Sequence, residues 1–296
     1  MIIATKIKKN FDQVTAVEDL SLTIQDKQVF GLIGTNGAGK STVIRMLTGV
    51  IRPDGGTITV EGEDVFNNPN AKKNFFYISD EQHFFPNSRP TDMCQYYGDL
   101  YPDFQQEKFY DYLSKFDLPK DRKIRTFSKG MKKQLSIILG ISAGTKYIFC
   151  DETFDGLDPV MRQGVKSIFS LEMEERGLTL IIASHNLREV EDICEHIGLL
   201  YKGGMLVSNH LDSLKLGIYK IQCIFPEIPD FSSLNVVNSQ NRGSLYTLTI
   251  RGEIEEINQK LEALSPVFYE ALPLTLEEIF ITETEAKGYD LKKLIQ

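Results

Sequence analysis

At 296 residues the chain has room for about two domains, and 42% hydrophobic with 25% charged residues is a globular composition that excludes disorder of the whole. Lys and Arg number 33 against 41 Asp and Glu, a formal charge of −8. That balance argues against a general nucleic-acid binder, because contacts to phosphates need a basic surplus.

In chain order, Leu20, Leu22 and Ile24 alternate with polar residues and predict a half-buried strand. Val29-Phe30-Gly31-Leu32-Ile33 is a continuous apolar run, which suits a central strand buried on both faces. Val43, Ile44 and Leu47 then share a helix face that closes near Gly49, and Thr57-Ile58-Thr59-Val60 returns to strand alternation after Pro53-Asp54-Gly55-Gly56. From about 84 to 144 the pattern is mostly helical: Phe109, Leu113 and Phe116 share a face, as do Met131, Leu135, Ile138 and Leu139. Tyr147-Ile148-Phe149-Cys150 and residues 178–183 are further buried strands, with helical stretches following from about Val160 and Leu187. This alternation predicts an α/β core with a substantially parallel sheet.

A composition shift near Leu216-Gly217 opens a second region of about 80 residues, read as a small α+β domain. It has strand patterns at 218–225 and 245–250, a helix carrying Ile254, Ile257, Leu261 and Leu264, and a second helix at 276–281. Cys94, Cys150, Cys194 and Cys223 are widely spaced without a C-x-x-C pair, which fits reduced thiols rather than a disulfide frame or zinc site. No stretch approaches the ~20 apolar residues of a membrane span, and Met1-Ile2-Ile3-Ala4-Thr5-Lys6 has no apolar signal core. A soluble intracellular chain is expected.

Gly34-Thr35-Asn36-Gly37-Ala38-Gly39-Lys40-Ser41 fits G-x-x-x-x-G-K-[ST] between a buried strand and a helix. Glycines let such a loop wrap phosphates, and consecutive N–H groups with the helix N-terminus attract the anionic oxygens. Lys40 should reach the β/γ-phosphates and Ser41 should ligate Mg²⁺. A glycine-rich turn without ligand is the alternative, disfavoured by the Lys-Ser pair and the flanking elements. Tyr147-Ile148-Phe149-Cys150-Asp151-Glu152 ends a buried strand in two acids, where parallel sheets bind ligands. Asp151 is expected to hold Mg²⁺ and Glu152 to polarise the water that attacks the γ-phosphate. A solvated acid pair at a strand end is the plainer reading.

Three further segments, in order, resemble the nucleotide-binding subunits of ABC transporters. Phe127-Ser128-Lys129-Gly130-Met131 looks like the signature loop L-S-G-G-Q in a variant that keeps Ser128 and Gly130; Asp155-Gly156-Leu157-Asp158 looks like the D-loop; Ser184-His185 looks like the switch histidine. The resemblance covers about residues 1–215 and implies a P-loop NTPase (ABC ATPase) domain whose helical subdomain lies at about 84–144. The region 217–296 resembles the accessory domain of bacterial exporter ATPases. The resemblance implies ATP held by Gly34 through Thr42, with Thr35, Asn36, Gly37, Ala38, Gly39, Lys40 and Ser41 between them, by Asp158, and by Ser128 and Gly130 of an opposing copy. It also implies Glu152 and His185 as the catalytic pair, and Ser41, Asp80 and Asp151 around Mg²⁺. Phe11 matches the aromatic that stacks on adenine, although a core phenylalanine fits it nearly as well.

Two positions depart from the family pattern. Asp80 stands where a Gln is usual, with Gln82 two residues on, and Thr153 replaces the usual Pro after the catalytic Glu. The resemblance implies a head-to-tail dimer, with itself or a related subunit, and a separate polytopic membrane permease with no nucleic acid. His83-Phe84-Phe85-Pro86 lies where the family meets that permease, and buried core aromatics read equally well there. The expected function is an ATPase that powers export from the cytoplasmic face of the membrane. A soluble ABC-type ATPase of translation or DNA repair is the alternative, though one cassette without sustained heptads speaks against it.

Overall fold

A computed structural model describes residues 1–215, 217–226 and 229–286. The shift at Leu216 and the stretch 287–296 expected in the second domain lie outside the described residues. The chain divides into two compact units, Met1–Ser208 and Asn209–Gln296.

The first unit is built on two sheets. Strands β1 (Ile2–Phe11), β2 (Val14–Ile24), β4 (Gly55–Val60) and β5 (Glu63–Asp64) form one in the order β2-β1-β4-β5, with antiparallel pairing. The other has the order β10-β9-β3-β8-β7-β6, from β3 (Val29–Gly34), β6 (Phe75–Ile78), β7 (Tyr147–Asp151), β8 (Thr179–Ser184), β9 (His196–Tyr201) and β10 (Gly204–His210). From β9 through β6 its pairings are parallel. Every residue of β3, β7 and β8 is buried, which is why these strands read as unbroken apolar runs. A core of Ile2, Leu20, Ile24, Phe30, Leu32, Ile44, Phe149 and Ile181 joins the two sheets through helix α1 (Lys40–Leu47).

After α2 (Pro69–Lys72) and β6, the expected helical region contains α3 (Pro90–Leu100), α4 (Gln106–Lys115) and α5 (Lys129–Ser142). Phe109 and Leu113 are buried on α4, and Leu135, Ile138 and Leu139 on α5. Helix α6 (Pro159–Arg176) leads into β8, and α7 (Leu187–Glu191) is a short turn over β3. There Gly31 is needed, since a Cβ on it would lie 2.4 Å from Val190 Cγ1 and 2.9 Å from Cys194 Sγ.

In the second unit α8 (Leu211–Lys215) precedes a four-stranded antiparallel sheet, ordered β12-β13-β11-β14. Its strands are β11 (Ile218–Ile224), β12 (Val236–Arg242), β13 (Leu245–Arg251) and β14 (Phe268–Pro273). Alternate residues Ile221, Cys223, Leu248 and Ile250 bury one face against Ile257 and Leu261 of α9 (Ile254–Ala263). Helix α10 (Leu276–Ala286) follows, and Glu278 pairs with Lys220 at 2.7 Å. All four cysteines are buried free thiols, and no helix among the described residues is long and apolar enough to cross a membrane.

Candidate nucleotide site

β3 delivers Gly34 to the C-terminal edge of the parallel sheet so close to the β9 backbone that a Cβ there would lie 2.5 Å from Leu200 O. Gly39 has φ +102°, and its Cβ would lie 2.5 Å from Ala16 O. A side chain at either position would push the loop off its neighbours. Between them the Ala38 N–H donates to Thr35 O at 3.0 Å, and α1 starts at Lys40. Lys40 is buried, donates to Gly34 O at 2.9 Å and Thr35 O at 3.4 Å, and lies 3.4 Å from Glu152 Oε1.

Asp151, the last residue of β7, is wholly buried. Ser41 Oγ donates to its Oδ1 at 3.0 Å and Tyr77 OH to its Oδ2 at 3.2 Å. Burial pushes the Asp151 carboxyl above the usual range, while these two hydroxyls pull it back. The Tyr77 phenol is pushed up to about 12 by burial and by the Asp151 charge.

Glu152 has φ +48°, a left-handed conformation that long side chains seldom adopt. Its Oε2 lies 2.9 Å from His185 Nδ1 and accepts the His185 main-chain N–H at 3.3 Å. Asp155 Oδ2 lies 3.7 Å from the same imidazole nitrogen. Thr153 is buried at the position where a proline was usual.

Lys40, Glu152, Asp155 and His185 line an open cavity of about 430 Å³ together with Asn36, Gly37, Gly39, Ser41, Thr42 and Asp80. Its remaining wall is Val14, Thr15 and Ala16 of β2, and Phe11 stands apart, 45% exposed opposite Val14 in the hairpin. Thr35 is exposed and Ala38 buried in the loop itself. Ser128 caps α5, its Oγ accepting the Met131 N–H at 3.2 Å. Gly130 and Lys129 line a second cavity of about 510 Å³, shared with Lys132, Lys133, Asp155 and Asp80. Asp158 caps α6, accepting the Met161 N–H at 2.9 Å, and lines neither cavity. Gln82 turns onto its own segment, donating to Ser79 O and Asp80 O at 2.7 and 2.8 Å.

A family model described as ABC transporter matches residues 17–155. The ABC transporter ATP-binding protein YtrB of Bacillus subtilis (strain 168) is 32% identical over 289 residues, which span 97% of this chain and 99% of that protein. The chain belongs to the ATP-binding proteins of ABC transporters. As a member of that family it binds ATP and is an ATPase. The lipopolysaccharide export system ATP-binding protein LptB of Haemophilus influenzae is 29% identical over 217 residues, 70% of this chain and 90% of that one. Among solved structures, a dimeric ATP-binding cassette in a post-hydrolysis state with ADP and Pi aligns with a TM-score of 0.65 at 16% identity. It covers 71% of this chain and 99% of its own, and the likeness establishes the fold, an α/β P-loop NTPase of the ABC ATPase kind.

Three groups beside the ATPase centre were not singled out from sequence. Tyr77 of β6 bonds Asp151, Ala16 of β2 presses its main-chain oxygen toward Gly39, and Lys133 of α5 bonds the Glu152 carbonyl. No local pattern marks any of them, because each meets its partner through sheet pairing or helix packing between distant segments.

Proposed function

We propose that this chain is the energy-supplying subunit of an exporter: two cassettes close on Mg·ATP, hydrolyse it, and part, moving a separate membrane-spanning permease. The supporting observation is the convergence of Lys40, Ser41, Glu152 and His185 from three strand ends on one cavity, with the buried Asp151 bonded to the Ser41 hydroxyl. Lys40 and the loop N–H groups bind the phosphates. Glu152 accepts a proton from the attacking water, and His185, fixed by its bond to Glu152, donates toward the charge that develops on the γ-phosphate.

The Ser41 hydroxyl and the Asp151 carboxylate are hard oxygen donors 3.0 Å apart, a set that suits Mg²⁺. The ion, when bound, neutralises phosphate charge. Asp80 lines the cavity too, but its carboxylate faces Lys133, 3.7 Å away.

Ser128, Gly130 and Asp158 do not line the cavity of the phosphate loop, which favours their engaging the nucleotide of an opposing copy, its own or a related subunit. Phe85, 53% exposed, packs edge-on against Tyr96, itself 40% exposed, at 4.8 Å. Phe85 lies five residues after Asp80 and, with Phe84, is assigned to the permease contact, with the subunit held peripherally on the cytoplasmic face. Residues 1–215 are read as the nucleotide-binding domain and 217–296 as an accessory domain. A role in translation or DNA repair is not favoured, since YtrB matches along nearly the whole chain.

The test is the oligomeric state and partnership of a Glu152→Gln variant. With Mg·ATP it should run as a dimer by light scattering and co-purify with a polytopic membrane protein. A strictly monomeric chain under those conditions, with the permease present, would defeat the proposal.

A further inference from the structure

Lys133 stands on α5, five residues after Ser128, and is only 7% exposed. A buried ammonium is costly unless its donors are satisfied. Here Nζ donates to Glu152 O at 2.6 Å and to Asp155 O at 2.8 Å, while Asp80 Oδ1 lies 3.7 Å away. Each partner belongs to the ATPase site. Glu152 O also accepts the Asp155 N–H at 3.3 Å, closing the turn 152–155, and the Glu152 N–H donates to Ala183 O at 2.9 Å. The left-handed backbone of Glu152 persists only where its surroundings enforce it. Lys133 supplies one such restraint, on the carbonyl of that same residue.

We propose that Lys133 is a positioning residue for ATP hydrolysis: its ammonium fixes the 152–155 turn so that the Glu152 carboxylate meets His185, and Asp80 acts by holding the ammonium in place. The proposal rests on the reading of Glu152 as the base. It brings the segment after β6 and the helix capped by Ser128 to bear on Glu152 through a single nitrogen. Asp80 lines both cavities, so withdrawal of its carboxylate removes one of three groups around that nitrogen and loosens the aim of the base.

Steady-state ATPase assays on the full chain test this, comparing Lys133→Met, Lys133→Arg, Asp80→Asn and the Asp80→Asn/Lys133→Met double variant, with Glu152→Gln as reference. Lys133→Met is expected to lower kcat by about 10- to 100-fold, the cost of a misplaced catalytic group. Its KM and its binding of a fluorescent ATP analogue should stay within about twofold, since no ground-state contact is lost. Lys133→Arg, which keeps the charge and two donors, should recover much of the rate. Asp80→Asn should cost less, and should cost nothing more once Lys133 is Met. If Lys133→Met fails to fold, Lys133→Gln replaces it with the same expectations. Unchanged kcat, a loss confined to KM, equal losses in the Arg and Met variants, or multiplying losses in the double variant would each overturn the proposal. Full turnover by Glu152→Gln would instead overturn the reading of the base.

Discussion

Oε2 of Glu152 is held twice by one residue, at 2.9 Å from Nδ1 of His185 and at 3.3 Å from its main-chain N–H. One bond from the ring and one from the backbone restrain the carboxylate and the imidazole together. His185→Ala removes the ring contact alone. It should lower kcat by about 10²-fold, the scale for losing one donor to transition-state charge, while leaving ATP affinity near that of the unaltered chain. Rapid-quench measurement of the chemical step checks it, and a defect seen only in nucleotide binding would assign the histidine elsewhere.

Gly39 gives a sharper test of the loop. Its φ of +102° and a 2.5 Å approach of any Cβ to Ala16 O mean that Gly39→Ala must displace either the loop or β2. Nucleotide binding should be lost although the charge of Lys40 remains. Lys40→Ala should lose binding for a different reason, with no clash in the loop but with its cation and the bonds to Gly34 O and Thr35 O gone. Isothermal titration with Mg·ATP separates these from wild type, and circular dichroism should show both variants folded.

How much of this could be read beforehand depends on how local the cause is. The strand 29–34 and the loop after it were legible because burial on both faces leaves an unbroken apolar run and the phosphate cradle needs glycines at set spacing. Asp151 and Glu152 were legible as acids ending such a run. β12 and β14 were not, since as edge strands they are mostly exposed and carry no clean alternation. The helix expected from Leu187 ends at Glu191, and the chain soon enters β9, a strand the apolar pattern alone did not separate from its surroundings. Lys133 and Tyr77 escaped notice because the atoms they bond arrive from segments up to 74 residues away.

Glu172 of α6 is fully buried and holds two cations, Lys108 of α4 through Oε1 at 2.7 Å and Arg176 through Oε2 at 2.6 Å. Arg176 also donates to Thr145 O. The carboxylate therefore ties the α3–α5 helical region to α6. Removing one member of a buried pair leaves the remaining charge poorly solvated, at about 3 kcal/mol or more. Glu172→Ala should then lower Tm by roughly 10 °C for a unit of this size. Differential scanning calorimetry checks it, and a shift under about 2 °C would show the group to be dispensable.

The acidic limb of stability should be set in part by a cluster joining β2, β4 and β7. Lys146 Nζ lies 2.7 Å from Asp26 and 2.8 Å from Glu61, and the Tyr147 hydroxyl sits between the same carboxylates. Partial burial pulls Glu61 upward, but the bonds from Lys146, the Met1 amino group and Tyr147 outweigh it and take the group from 4.5 to about 2. Asp26 is held low by the same partners. Between about 2 and 4.5 the unfolded chain therefore binds a proton at Glu61 that the folded chain refuses. The stabilisation is complete at neutral pH and is lost as pH falls through that window. Glu61→Gln should lower Tm at pH 7, and the gap to wild type should narrow steadily to nearly nothing at the acid end. Both carboxylates are about a third exposed, so added salt should narrow the neutral gap as well. A gap independent of both pH and salt would mean that Glu61 contributes by packing alone.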